Sequence, residues 1–468
     1  MAKVSLIIKS KISGFISTSF NSIPSSIALF KPLLLFLDDF IFLYNYKKLI
    51  KYYNDFGPID DAEIDVGKIT VIGGHNSTGK STASKLLFSF LKANSSKRRD
   101  LAIDTIHEQI ASLIIKFIEY SRVDSDNFLP SANLLDYLDR LSESNDFESK
   151  LNVYDSLRDI YLKLDLKNGY KHEFNDLFET IDDLIRIVKE DDSSLYVSII
   201  RKLLKSEFET CHGFAEFSGV LRDISYDFSI DFKNHDFDEL DCFKYDGGFS
   251  INDVLYIDSA SALDLSQFQG LQNTDHFKFI QNYLNFKFDD SNKVFDEKLY
   301  SKQINLNKKI KNILKGEFRF QNGILVFIND DGVETKMKDT ASGLKQIGVI
   351  QLLLAHRRLN ENSFLIIDEP EANLHPELQI DFAEILVLLV NELDIRIYVN
   401  SHSPMFIEAI SVFSQYYKLQ DETMFYLTKN DDNHCHFVKI TNDDMASVYQ
   451  NLAEPYDILD KINAKLVC

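Results

Sequence analysis

The spacing of apolar residues divides the chain into a helical region and regions of strand. Between residues 101 and 208, apolar side chains recur every three or four positions, as at Ile106, Ile110 and Leu113. This spacing predicts about four to six amphipathic helices. Near Glu209 the period changes to two, and Ile224–Phe232 alternates apolar with polar residues. That alternation predicts a strand with one face in solvent.

Short, mostly apolar runs predict strands that are buried on both faces, as in the middle of a parallel sheet. They are Ile69–Ile72, Asp253–Asp258, Ser363–Ile367 and Ile395–Asn400. Helices are predicted at Ala83–Leu91, Gly343–Leu354, Pro376–Asn391 and Met405–Phe413. A hairpin centred on Asn322-Gly323 adds antiparallel strands. The pattern therefore predicts an α/β fold with a mixed sheet, interrupted by an all-helical insertion.

Composition narrows the class of protein. The 468 residues suffice for two or three domain-sized units, with 45% hydrophobic and 26% charged residues. A net charge of −21 argues against general coating of nucleic acid, although it is compatible with a local basic groove that contacts DNA. The four cysteines are dispersed, which fits a reducing cytoplasm and gives no disulfide or zinc framework.

A glycine-rich stretch between the first buried strand and its helix has the spacing G-x-x-x-x-G-K-[ST]. Gly74, Gly79, Lys80 and Ser81 fill the fixed positions. Backbone N–H groups of such a turn, together with the start of the helix, form a cradle for phosphate. Lys80 would reach the β- and γ-phosphates, and the Ser81 hydroxyl would bind Mg²⁺. A chance match in a Gly/Ser-rich turn is the alternative, and the flanking strand and helix disfavour it.

Two carboxylates follow the buried strand Phe364–Ile367. The carboxyl ends of parallel strands are where open sheets bind ligands. Asp368 is placed to hold Mg²⁺ through water, and Glu369 could act as the general base that polarises an attacking water. A plain acidic turn is the alternative, which the upstream phosphate loop disfavours.

Two further stretches leave alternatives open. Ser342-Gly343 starts a predicted helix, where a hydroxyl and an N–H form either an anion site or a plain N-cap. His402 follows the strand after Asp368 and could hydrogen-bond a γ-phosphate or cap the next helix. By contrast, alternation through Cys435, Phe437 and Lys439 predicts an ordinary strand face rather than a metal site at His434-Cys435-His436.

The order of these motifs resembles that of ABC-type P-loop ATPase heads, and more narrowly the OLD-like and RecF/SMC-like predicted AAA ATPases. The shared motifs are G-x-N-x-x-G-K-[ST] (Gly74 to Ser81), a short S-G signature (Ser342-Gly343), D-E-P-E-x-x-L-H-P (Asp368 to Pro376) and S-H-S-P (Ser401 to Pro404). The resemblance covers residues 49–93 and 214–430.

The resemblance implies an ATPase domain divided by its insertion. The expected segments are an apolar N-terminal extension (1–48), the first part of the ATPase domain (49–93), a helical insertion (94–210), the second part (211–430) and a C-terminal tail (431–468). Charges at Lys31 and at Asp38-Asp39 interrupt the apolar stretch of the extension, so no integral membrane segment is expected. The extension could instead pack on the body, meet a partner or lie on a membrane surface.

The resemblance also implies site residues and a head-to-tail dimer around two ATP molecules. Glu369, His402 and Lys80 would be catalytic, and Ser81 and Asp368 would hold Mg²⁺. The residues implied in ATP binding are Gly74, Asn76, Ser77, Thr78, Gly79, Lys80, Ser81, Thr82, Ser342 and Gly343. Ser342 and Gly343 would close on the partner's ATP, with Leu374-His375-Pro376 at the dimer seam. Gln267 and Gln269 are positional candidates for the metal-contacting glutamine. OLD nucleases carry a C-terminal Toprim domain, and the stretch after Pro404 is too short for it, so nuclease activity is not implied.

Three functions follow as hypotheses. The first is a cytoplasmic Mg²⁺-dependent ATPase, dimeric or higher, that controls a partner effector such as a nuclease or toxin in phage defence or DNA repair. The second is an ATP-gated sensor or scaffold with little turnover. A transporter ATPase is disfavoured by the insertion, the short signature and the lack of membrane-spanning segments.

Overall fold

The computed structural model describes most of the chain after residue 47. The described residues are 48–53, 59–95, 98–123, 131–144, 146–164, 168–189, 192–208, 213–221, 224–232, 240–242, 251, 253–258, 280, 297–321, 324–431, 434–441, 444, 445 and 448. They belong to the unit Lys47–Cys468. The expected extension before residue 48 and the candidates Gln267 and Gln269 lie outside the described residues.

The described strands include those that the period-two and buried runs predict. They are β1 (Lys48–Tyr53), β2 (Ile59–Val66), β3 (Ile69–Gly73), β4 (Gly213–Leu221), β5 (Ile224–Phe232), β6 (Leu240–Cys242), β7 (Asp253–Ile257), β8 (Gly316–Gln321), β9 (Ile324–Asn329), β10 (Glu334–Lys336), β11 (Ser363–Asp368), β12 (Arg396–Ser401), β13 (Thr423–Asp431) and β14 (His434–Ile440).

Eleven of these strands form one mixed sheet in the order β6-β5-β4-β1-β2-β14-β13-β3-β12-β11-β7. The strands from β13 to β7 are parallel, and those from β6 to β2 are antiparallel. β3, β7, β11 and β12 are buried along their whole length, as parallel strands covered on both faces should be. The predicted mixed α/β fold is confirmed.

The described part of the chain contains ten α-helices. They are α1 (Lys80–Ala93), α2 (Arg98–Val123), α3 (Ser131–Glu143), α4 (Phe147–Lys163), α5 (Asn168–Lys189), α6 (Asp192–Glu207), α7 (Glu297–Leu314), α8 (Ser342–Ala355), α9 (Pro376–Leu393) and α10 (Pro404–Tyr416). Along β11, Phe364 and Ile366 pack with α1 and the insertion helices, whereas Leu365 and Ile367 pack with α7 to α10. Period-two alternation thus divides the core into two clusters, one on each face of the sheet.

The insertion between α1 and β4 is helical in the described part of the chain, where α2 to α6 follow one another. Its apolar stripe packs inward: Ile106, Ile110 and Leu113 are each 0% exposed. Asp146 caps α4 by accepting a hydrogen bond from the Ser149 N–H at 2.8 Å. Across all the residues that the structure describes, no helix is long and apolar enough to cross a membrane.

The segment expected as a C-terminal tail begins inside β13. β13 pairs in parallel with β3, the strand that leads into the phosphate loop, and β14 pairs with β13 and β2. These two strands therefore join the parallel and antiparallel parts of the sheet. We propose that the ATPase domain extends at least to Ile440.

Candidate active site

The phosphate loop connects the end of β3 to the start of α1. Gly79 precedes the helix in a left-handed conformation (φ 80°), and Ser77 also has a positive φ of 63°. The side chains of His75, Asn76, Ser77 and Ser81 are exposed, that of Thr82 is half-buried and that of Thr78 is buried. Lys80 donates hydrogen bonds to the carbonyls of Gly74 (2.9 Å) and His75 (2.5 Å). Its ammonium therefore already lies against the loop.

Two side chains from the hairpin of β13 and β14 donate hydrogen bonds to Thr78 of this loop. Thr428 donates to Thr78 Oγ1 at 2.7 Å, and the Cys435 thiol donates to the Thr78 carbonyl at 2.8 Å. Burial raises the pKa of Cys435 to about 11, against the opposing charge of Lys80, so the thiol stays a donor at neutral pH. Cys435 and Phe437 are buried and Val438 is exposed, which agrees with an ordinary strand face.

The ends of three parallel strands bring the remaining candidates to the same sheet edge. Asn400 pairs in register with Asp368 on one side and with Ile72 on the other. Ser401 pairs with Gly73, one residue before the phosphate loop. The structure thus brings Asp368, Glu369 and His402 to the edge that carries Lys80. Burial lowers the pKa of Lys80, while the negative charges of Asp368, Glu369 and Glu371 oppose that effect.

A buried hydrogen-bond network fixes Asp368. The Tyr256 hydroxyl donates to Asp368 Oδ2 at 3.1 Å and lies 2.9 Å from Ser84 Oγ. Asn400 Nδ2 donates to the same Ser84 oxygen at 2.9 Å. Burial, followed by the charge of Asp368, raises the pKa of Tyr256 well above its usual value, so the hydroxyl keeps its proton. The network ties the carboxylate of β11 to the helix that follows the phosphate loop.

The other oxygen of Asp368 suits a hard cation. Asp368 Oδ1 is buried and has no hydrogen-bond partner in the described part of the chain. A buried carboxylate oxygen without a donor is costly unless a cation or water satisfies it. Mg²⁺ binds carboxylate and hydroxyl oxygens and keeps several waters. Asp368 together with the exposed Ser81 hydroxyl therefore fits an Mg²⁺ site of the kind predicted.

Glu369 adopts a left-handed backbone conformation, with φ 49°. Such a conformation costs a non-glycine residue on the order of 1 kcal/mol and persists only where its surroundings impose it. The Glu369 N–H donates to the Asn400 carbonyl at 3.0 Å, and its own carbonyl accepts from the Ala372 N–H at 3.0 Å. The side chain is 44% exposed. The carboxylate is thus available to solvent on a fixed backbone.

Glu371 lies beside the candidate site, although the sequence motif assigned it no role. One oxygen, Oε1, accepts from the Ser401 hydroxyl (2.7 Å), the His402 N–H (2.7 Å) and the Ser403 N–H (3.0 Å). Burial raises the pKa of Glu371, and the hydrogen bonds from Ser401 and His402 oppose that rise. The sequence held one signal for these contacts. The first N–H groups of a helix need hydrogen-bond acceptors, and Glu371 follows the strand next to the one that leads into α10.

His402 is 43% exposed, with Nδ1 3.3 Å from Glu371 Oε1 and 3.8 Å from Glu369 Oε1. The alternative that His402 caps the following helix is wrong. Ser403 is the N-cap of α10, and its hydroxyl accepts from the Phe406 N–H at 3.2 Å. The imidazole is therefore left available beside two carboxylates.

The Ser342-Gly343 stretch lies at the start of α8. The N-cap is Ala341, and no side chain caps the helix, so the plain N-cap alternative for Ser342 is wrong. Ser342 is exposed. A Cβ on Gly343 would lie 2.4 Å from the Asn373 carbonyl oxygen and 2.9 Å from Leu374, so only glycine fits there.

Tyr256→Phe is expected to lower the free energy of unfolding by about 1–3 kcal/mol, because it leaves buried Asp368 and Ser84 each without one partner. It should also raise the Mg²⁺ concentration needed for half-maximal ATP hydrolysis several-fold, since Asp368 is no longer fixed. Thermal unfolding and Mg²⁺ titration measure these effects. The control is Tyr426→Phe, which removes the hydroxyl that accepts a partly buried hydrogen bond from the Asp65 N–H. If both variants change the Mg²⁺ requirement equally, the network does not act on Asp368 specifically.

Comparison with known proteins finds a matching family model and several similar solved structures. The family model described as AAA ATPase domain matches residues 53–407. Similar solved structures include the SMC head domain from Thermotoga maritima, at 12% identity over 84% of this chain and 98% of that chain (TM-score 0.36). An Smc head bound to the C-winged helix domain of ScpA is 10% identical over 86% and 99% of the two chains (TM-score 0.39).

A third solved structure is an Smc head domain with an extended coiled coil, bound to the C-terminal domain of ScpA derived from Pyrococcus furiosus. It is 10% identical over 89% of this chain and 99% of that chain, with a TM-score of 0.32. No curated protein matches the sequence. The family model covers the phosphate loop, the Asp368-Glu369 pair and His402 together. The chain belongs to the AAA ATPase domain family and is a P-loop ATPase.

Proposed function

We propose that two copies of this chain bind head to tail around two ATP molecules and hydrolyse them with Mg²⁺. The observation that carries the proposal is the shared sheet edge, where Lys80, Asp368, Glu369 and His402 meet. Ser342 is exposed on a different element. A head-to-tail arrangement would let the Ser342 of each copy complete the site of the other.

Each residue then has a separate task. The N–H groups of the loop and Lys80 bind the β- and γ-phosphates, and Ser81 and Asp368 hold Mg²⁺. The ion would supply positive charge next to the transferred phosphoryl group. Glu369 accepts a proton from the attacking water, and His402 contacts the γ-phosphate. Ser342 and the N–H of Gly343 contact the γ-phosphate of the partner's ATP.

The purpose of hydrolysis is proposed from the motif resemblance. We propose that closing and opening of the dimer control a partner effector of the nuclease or toxin class, in phage defence or DNA repair. Capture of the products of neighbouring genes with and without ATP tests this step. A complex that forms equally well in both conditions would favour a scaffold instead.

A mixing experiment tests the composite site. Lys80→Met removes the phosphate contact of one copy, and Ser342→Phe blocks the surface offered to the other copy. Each variant alone should be inactive. An equal mixture gives mixed dimers with one intact site, so about one quarter of the wild-type rate of phosphate release should return.

Ser301→Phe is the matched control, because Ser301 is likewise an exposed serine on a helix. It should keep the wild-type rate. Mixtures that stay inactive at every ratio, with both variants folded, would show that each site works within one copy.

A further inference from the structure

The backbone of Glu369 is held by three hydrogen bonds, and one of them comes from a side chain. Gln346 Nε2 donates to the Glu369 carbonyl at 3.1 Å, next to the backbone bonds to Asn400 and Ala372. Gln346 is 2% exposed. We infer that Gln346 is a positioning residue that holds the proposed general base in its left-handed conformation.

The physical argument rests on the strain at Glu369. A positive φ of 49° is unfavourable for a glutamate, and the neighbouring contacts must maintain it. Two of the three bonds belong to the main chain of β12 and of the loop itself, so substitution of side chains leaves them in place. The bond from Gln346 is the one that substitution removes. Without it, the Glu369 carbonyl loses a buried donor, and the peptide can rotate away from its strained geometry.

The position of Gln346 on α8 gives this contact a second consequence. Ser342 lies four residues earlier, one helical turn away on the same face. Between them, Gly343 packs directly on the Asn373 carbonyl of the loop that follows Glu369. A displacement of the first turn of α8 therefore changes the position of Glu369 in the same chain. The two contacts that transmit it are the Gln346 amide on the Glu369 carbonyl and Gly343 on the Asn373 carbonyl. This consequence rests on the proposed role of Ser342 toward a partner's ATP.

The same helix offers a matched control. Gln351 is 1% exposed, and its side chain also bonds to main chain: Oε1 accepts from the Phe318 N–H at 2.8 Å and Nε2 donates to the Phe318 carbonyl at 3.3 Å. These bonds are to β8, away from the sheet edge that carries the site. Gln351→Met and Gln346→Met thus remove equally buried amides from one helix.

The test compares ATP hydrolysis of the two variants in the full-length chain. Gln346→Met should lower kcat about tenfold with KM within twofold, because misplacement of a reacting group affects turnover more than binding. Gln351→Met should keep kcat within twofold of wild type, even where it lowers the melting temperature. If Gln346→Met is unfolded at the assay temperature, Gln346→Leu replaces it, since it also lacks the donor and buries no charge.

A double variant distinguishes a positioning role of Gln346 toward Glu369 from a general loss of ATPase activity. If Gln346 acts through Glu369, adding Gln346→Met to Glu369→Gln should lower the residual rate by less than twofold. A tenfold further loss in that background would overturn the inference, as would unchanged kcat in Gln346→Met. Should Glu369→Gln itself hydrolyse ATP at the wild-type rate, the assigned base is wrong. That result is distinct from failure of Gln346→Met alone.

Discussion

Glu369→Gln is expected to reduce steady-state ATP hydrolysis by about 10²–10⁴-fold while ATP binding stays near the wild-type level. The amide keeps the size of the side chain but cannot accept a proton from water. The backbone bonds of Glu369 do not involve its side chain, and the side chain is 44% exposed, so the fold should be unaffected. Phosphate release at saturating Mg²⁺ and ATP, together with titration of a fluorescent ATP analogue, measures the two effects.

The control for this substitution is Glu377→Gln, which changes an exposed glutamate in the first turn of α9. It should alter the rate by less than twofold. A trapped, ATP-bound dimer should also accumulate in Glu369→Gln, visible by light scattering. Hydrolysis within tenfold of wild type would mean that another group activates the water, and the buried Glu371 beside His402 would be the next residue to test.

The local parts of the site could be predicted because each lies in a short stretch with its own signal. The phosphate loop follows one buried strand, and Asp368-Glu369 follows another. The α/β pattern alone therefore places the loop and the two carboxylates at strand ends. Parallel pairing then brings them to one edge. This step requires only that the strands are parallel, whatever their order in the sheet.

The network behind Asp368 could not be predicted in the same way. Ser84, Tyr256 and Asn400 are separated by more than 100 residues in sequence, and each occurs within an otherwise unremarkable element. Their contacts depend on the strand order β3-β12-β11-β7. In this order Asn400 of β12 lies between β3 and β11, which are far apart from each other in sequence. Spacing along one strand holds no information about which strands become neighbours.

The position of the β13–β14 hairpin in the sheet could not be predicted for a related reason. The expected boundary at residue 430 falls at the end of β13, yet β14 pairs with β13 and β2, and β13 lies beside β3. One signal was present in the sequence: Met424, Phe425, Tyr426 and Leu427 are consecutive apolar residues, without the polar alternation of an edge strand. The roles of Thr428 and Cys435 behind the phosphate loop follow only once that position is known.

Gly74→Ala tests the contact between this hairpin and the phosphate loop, and it should weaken ATP binding by roughly 100-fold or more. Gly74 has a φ of 154°, and a Cβ there would lie 1.7 Å from Thr428 Oγ1 and 3.0 Å from Thr428 Cβ. Since β13 is a central strand, the loop must move instead. The movement displaces the carbonyls that Lys80 contacts and the N–H groups proposed to bind phosphate.

Thr428→Ala should partly reverse this loss, because it removes the nearest atom but leaves Cβ in place. Alone, Thr428→Ala should cost about 1 kcal/mol of stability through the lost bond to Thr78. In the double variant, ATP affinity should exceed that of Gly74→Ala by about tenfold, which is the non-additivity expected of residues in contact.

Gly332→Ala is the control: Gly332 also has a positive φ, 76°, but nothing lies within 4 Å of a Cβ placed there. It should destabilise the β9–β10 turn without changing ATP affinity. If Thr428→Ala restores nothing, backbone strain at Gly74, rather than contact with the hairpin, determines the shape of the loop.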